Sequence, residues 1–410
     1  MKIPQNIYMV GIGGIGMSAL AQLFKHEGKR VSGSDREESP VTDMLKKQGF
    51  KLYFEHDAEN VPNDTGLLIY SDAVPEDNPE RAAAREKGIP ELSYFQALGE
   101  VSKKYRTIAV AGTHGKTTTA AMLASILKAA GKEPTAIVGS LVNEWGSNYL
   151  AGTSDILVVE ACEYKKHFLE LHTEVLVITN IEWDHTDYYK TPKEFKAAFA
   201  EVRRQAKKVI EKDEYVKELV PDLLLIGEFN KENARAAKAT ARALFPELEN
   251  VVIDEALKNF KGVWRRFEYK GKTKEGALVY DDYAHHPTAI RKTLEATRTK
   301  FPSKKITVAF HPHLYSRTRD LMNDFAKSLA LADEVILAPI YPAREEPILG
   351  VTSEALAEKI SALGTPARAF SSLDEVRDAL LAISYKLQAT SLLITMGAGD
   401  IYKVAEQIAD

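Results

Sequence analysis

The chain has 410 residues, 45% of them hydrophobic and 27% charged, which is the composition of a globular protein. Its net charge of −4 gives no electrostatic ground for binding nucleic acid or an anionic membrane. The single cysteine, Cys162, excludes an intramolecular disulfide and a cysteine-based metal cage.

The length is too great for one core, so two or three domains are expected. No apolar run approaches the roughly 20 residues of a membrane span. The N-terminal stretch, Met1 to Asn6, leads straight into a strand and leaves no room for a signal peptide, so a cytoplasmic location is expected. Ile7 to Val10 reads as a strand, followed by Gly11-Ile-Gly-Gly-Ile-Gly16, a helical pattern through Met17, Leu20 and Phe24, and a second strand from Arg30. That βαβ unit closes on Asp35. Its glycines would let backbone approach a pyrophosphate, while the Asp35 carboxylate would accept from a ribose hydroxyl. A purely structural glycine turn is the alternative. Further alternation through Val41–Gln48, Leu67–Tyr70 and Pro79–Lys87 ends a first α/β domain near Lys104.

Thr107 to Ala111 opens a second domain and runs into Gly112-Thr-His-Gly-Lys-Thr-Thr118 and a helix to Ala130. A strand, a glycine-bearing loop and a helix start make an anion cradle, because unpaired N–H groups and the helix dipole face one way. The strict P-loop pattern has a glycine where this chain has Val110, so the loop is a shortened form. Lys116 would reach the β- and γ-phosphates of ATP, and the Thr117 hydroxyl would face magnesium. Thr135–Val138 and Ile156–Glu160 read as strands, with Gly139–Tyr149 as a polar loop between them. Glu160 stands at the carboxyl end of its strand, where ligands sit in such sheets, and is a candidate magnesium ligand. Val175–Thr179 leads into a crowd of Glu182, Asp184, His185 and Asp187, a costly concentration of charge unless a cation neutralises it. Two helices follow, 192–206 and 230–244. Asn230 and Asn233 share a face of the second, where they could cap the helix or read a base edge.

A third α/β domain begins near Gly262. Its strands near 267–269, 277–281, 306–310, 334–338, 368–370 and 392–396 alternate with helices, and Tyr283, His285, His286, His313, Arg317 and Arg319 follow strand ends.

Gly11 to Met17, Ala111 to Thr119, Thr179 to His185, Asp281 to Pro287 and Tyr315 to Asp320 together resemble the Mur ligases, the amide-forming enzymes of peptidoglycan precursor synthesis. The likeness spans essentially the whole chain and is greatest to the branch that adds L-alanine to UDP-N-acetylmuramate. It implies three domains: a Rossmann-like UDP-binding domain at 1–104, a shortened central P-loop ATPase domain at 105–261 and a Rossmann-like C-terminal domain at 262–410. It also implies ATP and Mg²⁺ as cofactors, and UDP-N-acetylmuramate with an amino acid, L-alanine, as partners. Gly11, Gly13, Gly14, Gly16, Met17, Asp35 and Ser71 would then hold the sugar nucleotide. Gly112, Thr113, Gly115, Lys116, Thr117, Thr118, Asn230 and Asn233 would hold ATP. Thr117, Glu160 and His185 would bind magnesium. Tyr283, His286, His313 and Tyr315 would meet the amino acid, with Lys116, His185, Arg266 and Arg317 at the chemistry.

The chain departs from the family pattern at Cys162, at Leu314 in place of an arginine that helps bind the amino acid, at Phe229, and in a short stretch from about 209 to 229. Leu314 leaves the choice of amino acid open. Two neighbouring readings stay open as well, a recycling ligase for a murein tripeptide and a non-catalytic nucleotide sensor. A dehydrogenase would explain Gly11 to Asp35 but neither Lys116 nor the acidic–histidine crowd.

Overall fold

Alternation of short apolar strands with helices builds three separate sheets. The computed structural model describes residues 2–343 and 345–410, so Met1 and Arg344 lie outside the account. The first sheet collects β1 (Asn6–Val10), β2 (Arg30–Ser34), β3 (Lys51–Tyr53), β4 (Leu67–Tyr70) and β5 (Glu91–Ser93) in the order β3-β2-β1-β4-β5, all parallel. Its helices are α1 (Ile15–His26), α2 (Pro40–Lys47), α3 (Pro79–Glu86) and α4 (Tyr94–Ser102). Their starts are written locally. Ser39 and Ser93 close capping boxes with Thr42 and Gln96, and Asn78 caps α3 ahead of Pro79.

The second sheet has the order β11-β10-β6-β9-β7-β8, from β6 (Arg106–Ala111), β7 (Thr135–Val142), β8 (Ser147–Leu150), β9 (Ile156–Glu160), β10 (Thr173–Ile178) and β11 (Lys208–Ile210). Around it lie α5 (Lys116–Ala129), α6 (Pro192–Gln205), α7 (Lys212–Tyr215), α8 (Glu228–Leu244) and α9 (Asn250–Asn259). The expected polar loop at 139–149 is instead a hairpin: β7 runs on to Val142, and β8 pairs with it antiparallel. The reason lies outside the stretch itself. Fully buried Asn148 donates to the Ile15 carbonyl and to Ser18 Oγ (2.9 Å) and accepts from Gln22 Nε2 (3.0 Å), so α1 satisfies polar groups that a single sequence assigns to water. Helix α9 was not expected either. It buries Ile253 and Leu257 and packs on α5.

The third sheet has the order β12-β13-β17-β14-β15-β16, with β12 (Glu268–Lys272) antiparallel to β13 (Leu278–Asp282). The other strands, β14 (Lys305–Phe310), β15 (Glu334–Leu337), β16 (Ala367–Ala369) and β17 (Ser391–Met396), run parallel. One face is covered by α10 (Pro287–Lys300), α12 (Met322–Leu329) and α13 (Ser353–Ala362), the other by α14 (Leu373–Leu387) and α15 (Tyr402–Ile408). Between β14 and α12 sits the short α11 (Tyr315–Asp320). No helix of the described residues is long and apolar enough to cross a membrane.

By packing, the chain forms two compact units. One contains residues up to Glu182 with Lys196–Asp222 and Glu232–Lys261, and therefore the first two sheets. The other contains Trp183–Phe195, Leu223–Lys231 and Gly262–Asp410 around the third sheet.

Candidate active site

In the first unit, the carboxyl ends of β1, β2 and β4 gather the first group of expected residues. Gly11 leaves β1 by donating to the Ser34 carbonyl (2.8 Å), Gly14 caps α1, and Met17 is buried on its first turn. Asp35 accepts from the Gly13 N–H (2.7 Å) and the Arg36 N–H (2.8 Å), so its carboxylate braces the glycine turn itself. Ser71 joins from β4, its N–H donating to the Val10 carbonyl (3.0 Å).

The second group forms at the end of β6. Gly115 caps α5 with φ of 83°, a left-handed conformation. A Cβ there would also fall 2.2 Å from Asn233 Oδ1, which places Asn233 directly over the loop. Thr113 Oγ1 donates to the Glu182 carbonyl (2.6 Å), and the Asn180 side chain braces His114 through its N–H (3.0 Å) and carbonyl (2.9 Å). Thr117 and Thr118 begin α5, where the loop's N–H groups and the helix dipole make the anion cradle.

Lys116 Nζ donates to the Gly112 carbonyl (2.5 Å) and to Glu163 (3.0 Å). Burial opposes its charge, but Glu163 and Glu160 outweigh burial and hold its pKa above the ordinary lysine value. Thr117 Oγ1 donates to Glu160 Oε2 (2.7 Å), and the same oxygen accepts from the Gly139 N–H (2.8 Å). A hydroxyl and a carboxylate side by side form a hard oxygen donor set, which fits magnesium. Burial, followed by the charge of Glu163, pushes the Cys162 thiol up to about 12, which disfavours the thiolate.

In the second unit, Arg317, 3% exposed, directs Nε (3.0 Å) and Nη2 (2.9 Å) onto one oxygen of Asp184. Burial raises the Asp184 carboxyl, yet Arg317 beside it holds the group well below the usual carboxylate range. The neutralising cation that the acidic crowd demands is therefore, at Asp184, an arginine. His185 follows with φ of 55°, and its carbonyl accepts from the N–H groups of Tyr188 and Tyr189 (2.9 Å each).

His313 Nδ1 lies 3.3 Å from Arg317 Nη1, and its ring stacks on Tyr341 at 5.5 Å. The Tyr283 ring has the Arg266 guanidinium at 5.1 Å and the His285 ring at 5.2 Å. His286 caps α10, its Nδ1 accepting from the Thr288 N–H (3.3 Å). Tyr315 instead lines a cavity of about 520 Å³ with Ile340, Leu349 and Phe370. Asn230 donates to the Ile226 carbonyl (2.8 Å) near the start of α8.

Glu163 was not singled out from sequence, although it stands three places from Glu160; Asp184 was, within the acidic crowd, but its pairing with Arg317 was not. The partners of both lie far off along the chain.

Family descriptions match all three sheets: the Mur ligase family catalytic domain over residues 6–106, the Mur ligase middle domain over 110–223, and the Mur ligase glutamate ligase domain over 265–399. The chain belongs to the Mur ligase family. Among its relatives, the UDP-N-acetylmuramate--L-alanine ligase of Desulfitobacterium hafniense is 39% identical, with 99% of this chain and 100% of that protein covered. The crystal structure of the UDP-N-acetylmuramate-alanine ligase from Thermotoga maritima is 30% identical and superposes with a TM-score of 0.83, covering 98% of each chain. A murein peptide ligase from Psychrobacter arcticus covers 99% of this chain and 100% of its own at 22% identity and a TM-score of 0.68, a likeness of fold alone.

Proposed function

We propose that this chain is an ATP-dependent ligase that joins the amine of L-alanine to the lactyl carboxylate of UDP-N-acetylmuramate in peptidoglycan precursor synthesis. The similarity to UDP-N-acetylmuramate--L-alanine ligases along the full length supports this. The observation that carries it is the pair of glycine turns in one unit, the second completed by Lys116 on Glu163 and Thr117 on Glu160. On this reading the lobes are 1–104, 105–261 and 262–410, and the location is the cytoplasm.

Gly11, Gly13, Gly14, Gly16, Met17, Asp35 and Ser71 hold the sugar nucleotide. Gly112 to Thr118 and Asn233 hold ATP, with Asn230 on its adenine side. A carboxylate is a poor acyl donor. Its oxygen attacks the γ-phosphorus, the bond to ADP breaks, and an acyl phosphate forms. The amine of alanine then attacks the acyl carbon, phosphate leaves with the C–O electron pair, and the amine loses a proton. Lys116 offsets the charge that gathers as two anions meet, and Arg266 and Arg317 serve the same end. Thr117 and Glu160 would hold magnesium, with His185 as a further ligand, and the bound ion would neutralise phosphate charge. Tyr283, His286 and His313 would meet the amino acid, while Tyr315 faces the separate cavity lined by Ile340, Leu349 and Phe370.

ADP release should require the sugar nucleotide, an amino acid and Mg²⁺ together. ADP formed equally well without the sugar nucleotide would defeat the reading. A panel of amino acids set against a murein tripeptide would show whether the chain is an alanine ligase or a recycling enzyme.

A further inference from the structure

Tyr94 begins α4, held there by the capping box of Ser93 and Gln96. Its phenol tip lies against Gly16: a Cβ added at Gly16 would fall 2.5 Å from Tyr94 Cζ and 2.6 Å from its hydroxyl. In an ordinary dinucleotide turn the third glycine makes room for helix–strand packing. Here it makes room for a phenol.

Helix α4 also packs against Tyr164–Glu170, the segment that follows β9 of the second sheet. Burial, then the charges of Glu160 and Cys162, push the Tyr94 pKa above the ordinary tyrosine range, so the hydroxyl keeps its proton at any working pH. The side chain is braced from behind. Phe95 meets it edge-on at 4.8 Å and stacks at 3.7 Å on His167, which pairs with Asp72 at 2.8 Å. An O–H donor thus stands against the glycine turn of the first sheet, on a helix that packs against the segment following β9 of the second.

We propose that Tyr94 orients the acceptor: its hydroxyl donates to the sugar nucleotide on the first glycine turn and aims the lactyl carboxylate at the terminal phosphate on the P-loop. The proposal rests on the ligase reading above and adds a residue that no motif pointed to. Tyr94→Phe keeps the ring, its contact with Phe95 and its fit over Gly16, and removes only the donor.

In the full-length chain, Tyr94→Phe should raise the KM for UDP-N-acetylmuramate about tenfold or more, the scale of one lost hydrogen bond to a charged ligand, and leave the KM for ATP unchanged. Gly16→Ala, which must push the phenol aside, should show the same defect toward the acceptor while still binding a non-hydrolysable ATP analogue. A Tyr94→Phe enzyme with the wild-type KM for the sugar nucleotide overturns the proposal, and so does an equal rise in both KM values. Wild-type enzyme that releases ADP regardless of the sugar nucleotide would instead bring down the ligase reading beneath it.

Discussion

Lys116 is held by oxygens alone: the Gly112 carbonyl at 2.5 Å, the Thr113 carbonyl at 3.3 Å and Glu163 at 3.0 Å. A phosphate arriving in the loop offers the same kind of partner, so the ammonium moves from one anion to another without crossing an uncharged state. Lys116→Ala should therefore weaken a non-hydrolysable ATP analogue by roughly 10- to 150-fold, the range for hydrogen bonds to charged groups, with UDP-N-acetylmuramate affinity unchanged. Calorimetric titration of each ligand separately checks this; equal loss of both would mean that the substitution unfolds the unit. Arg317 follows the same logic in the other unit. Two of its nitrogens converge on Asp184, a geometry that a lysine cannot reproduce. Part of the guanidinium is thereby committed to the protein, while Nη1 turns to His313.

Strand ends are the elements that matter, and they differ in how far a sequence reveals them. The two glycine turns were legible because local chemistry dictates them: only glycine accepts φ of 83° at residue 115 cheaply. The hairpin of β7 and β8 was not, because Ser147 and Asn148 look like loop residues until Gln22 and Ser18 of α1 answer them. Nor was the pairing of Asp184 with Arg317, two residues 133 positions apart. Tyr94 escaped notice for the same reason, since its meaning comes from Gly16, which a single chain does not place beside it. At the end of β14, His311 is buried, its ring edge-on to Tyr341 at 5.6 Å. Burial lowers its pKa to about 4 from the ordinary 6.5. Between those values the unfolded chain binds a proton that the folded chain refuses. Stability from this group is therefore present above pH 6.5 and is lost as pH falls toward 4, by about 3 kcal/mol in all. His311→Gln should flatten that part of the stability profile in urea titrations at pH 4, 5 and 6.5. An unchanged slope would show that the imidazole titrates freely in the fold.

Across the whole molecule, the alignment with the Desulfitobacterium hafniense ligase runs over 454 positions while this chain has 410 residues, so the relative carries segments that are absent here. The stretch from β11 to α8 fits such a loss: only the four residues of α7 form a helix there, and no strand of the described residues follows β11 in its sheet. What the shortening leaves intact is the pair of glycine turns, carried by different sheets of one unit and tied together through Asn148 and α1. Separate turns require separate occupancy. At a sugar-nucleotide concentration 100 times its Kd, competition for one pocket would weaken an ATP analogue about 100-fold. Two pockets would leave its Kd within a few-fold of the value without the sugar nucleotide, and each ligand would add about 2.7 kcal/mol of stability at that saturation. Titrating the analogue calorimetrically, with and without saturating UDP-N-acetylmuramate, separates the two cases. Mutual exclusion would mean that one glycine turn is structural. The acceptor carboxylate and the γ-phosphate could then not be held at once, and the direct attack on which the proposed ligation depends would have no place to occur.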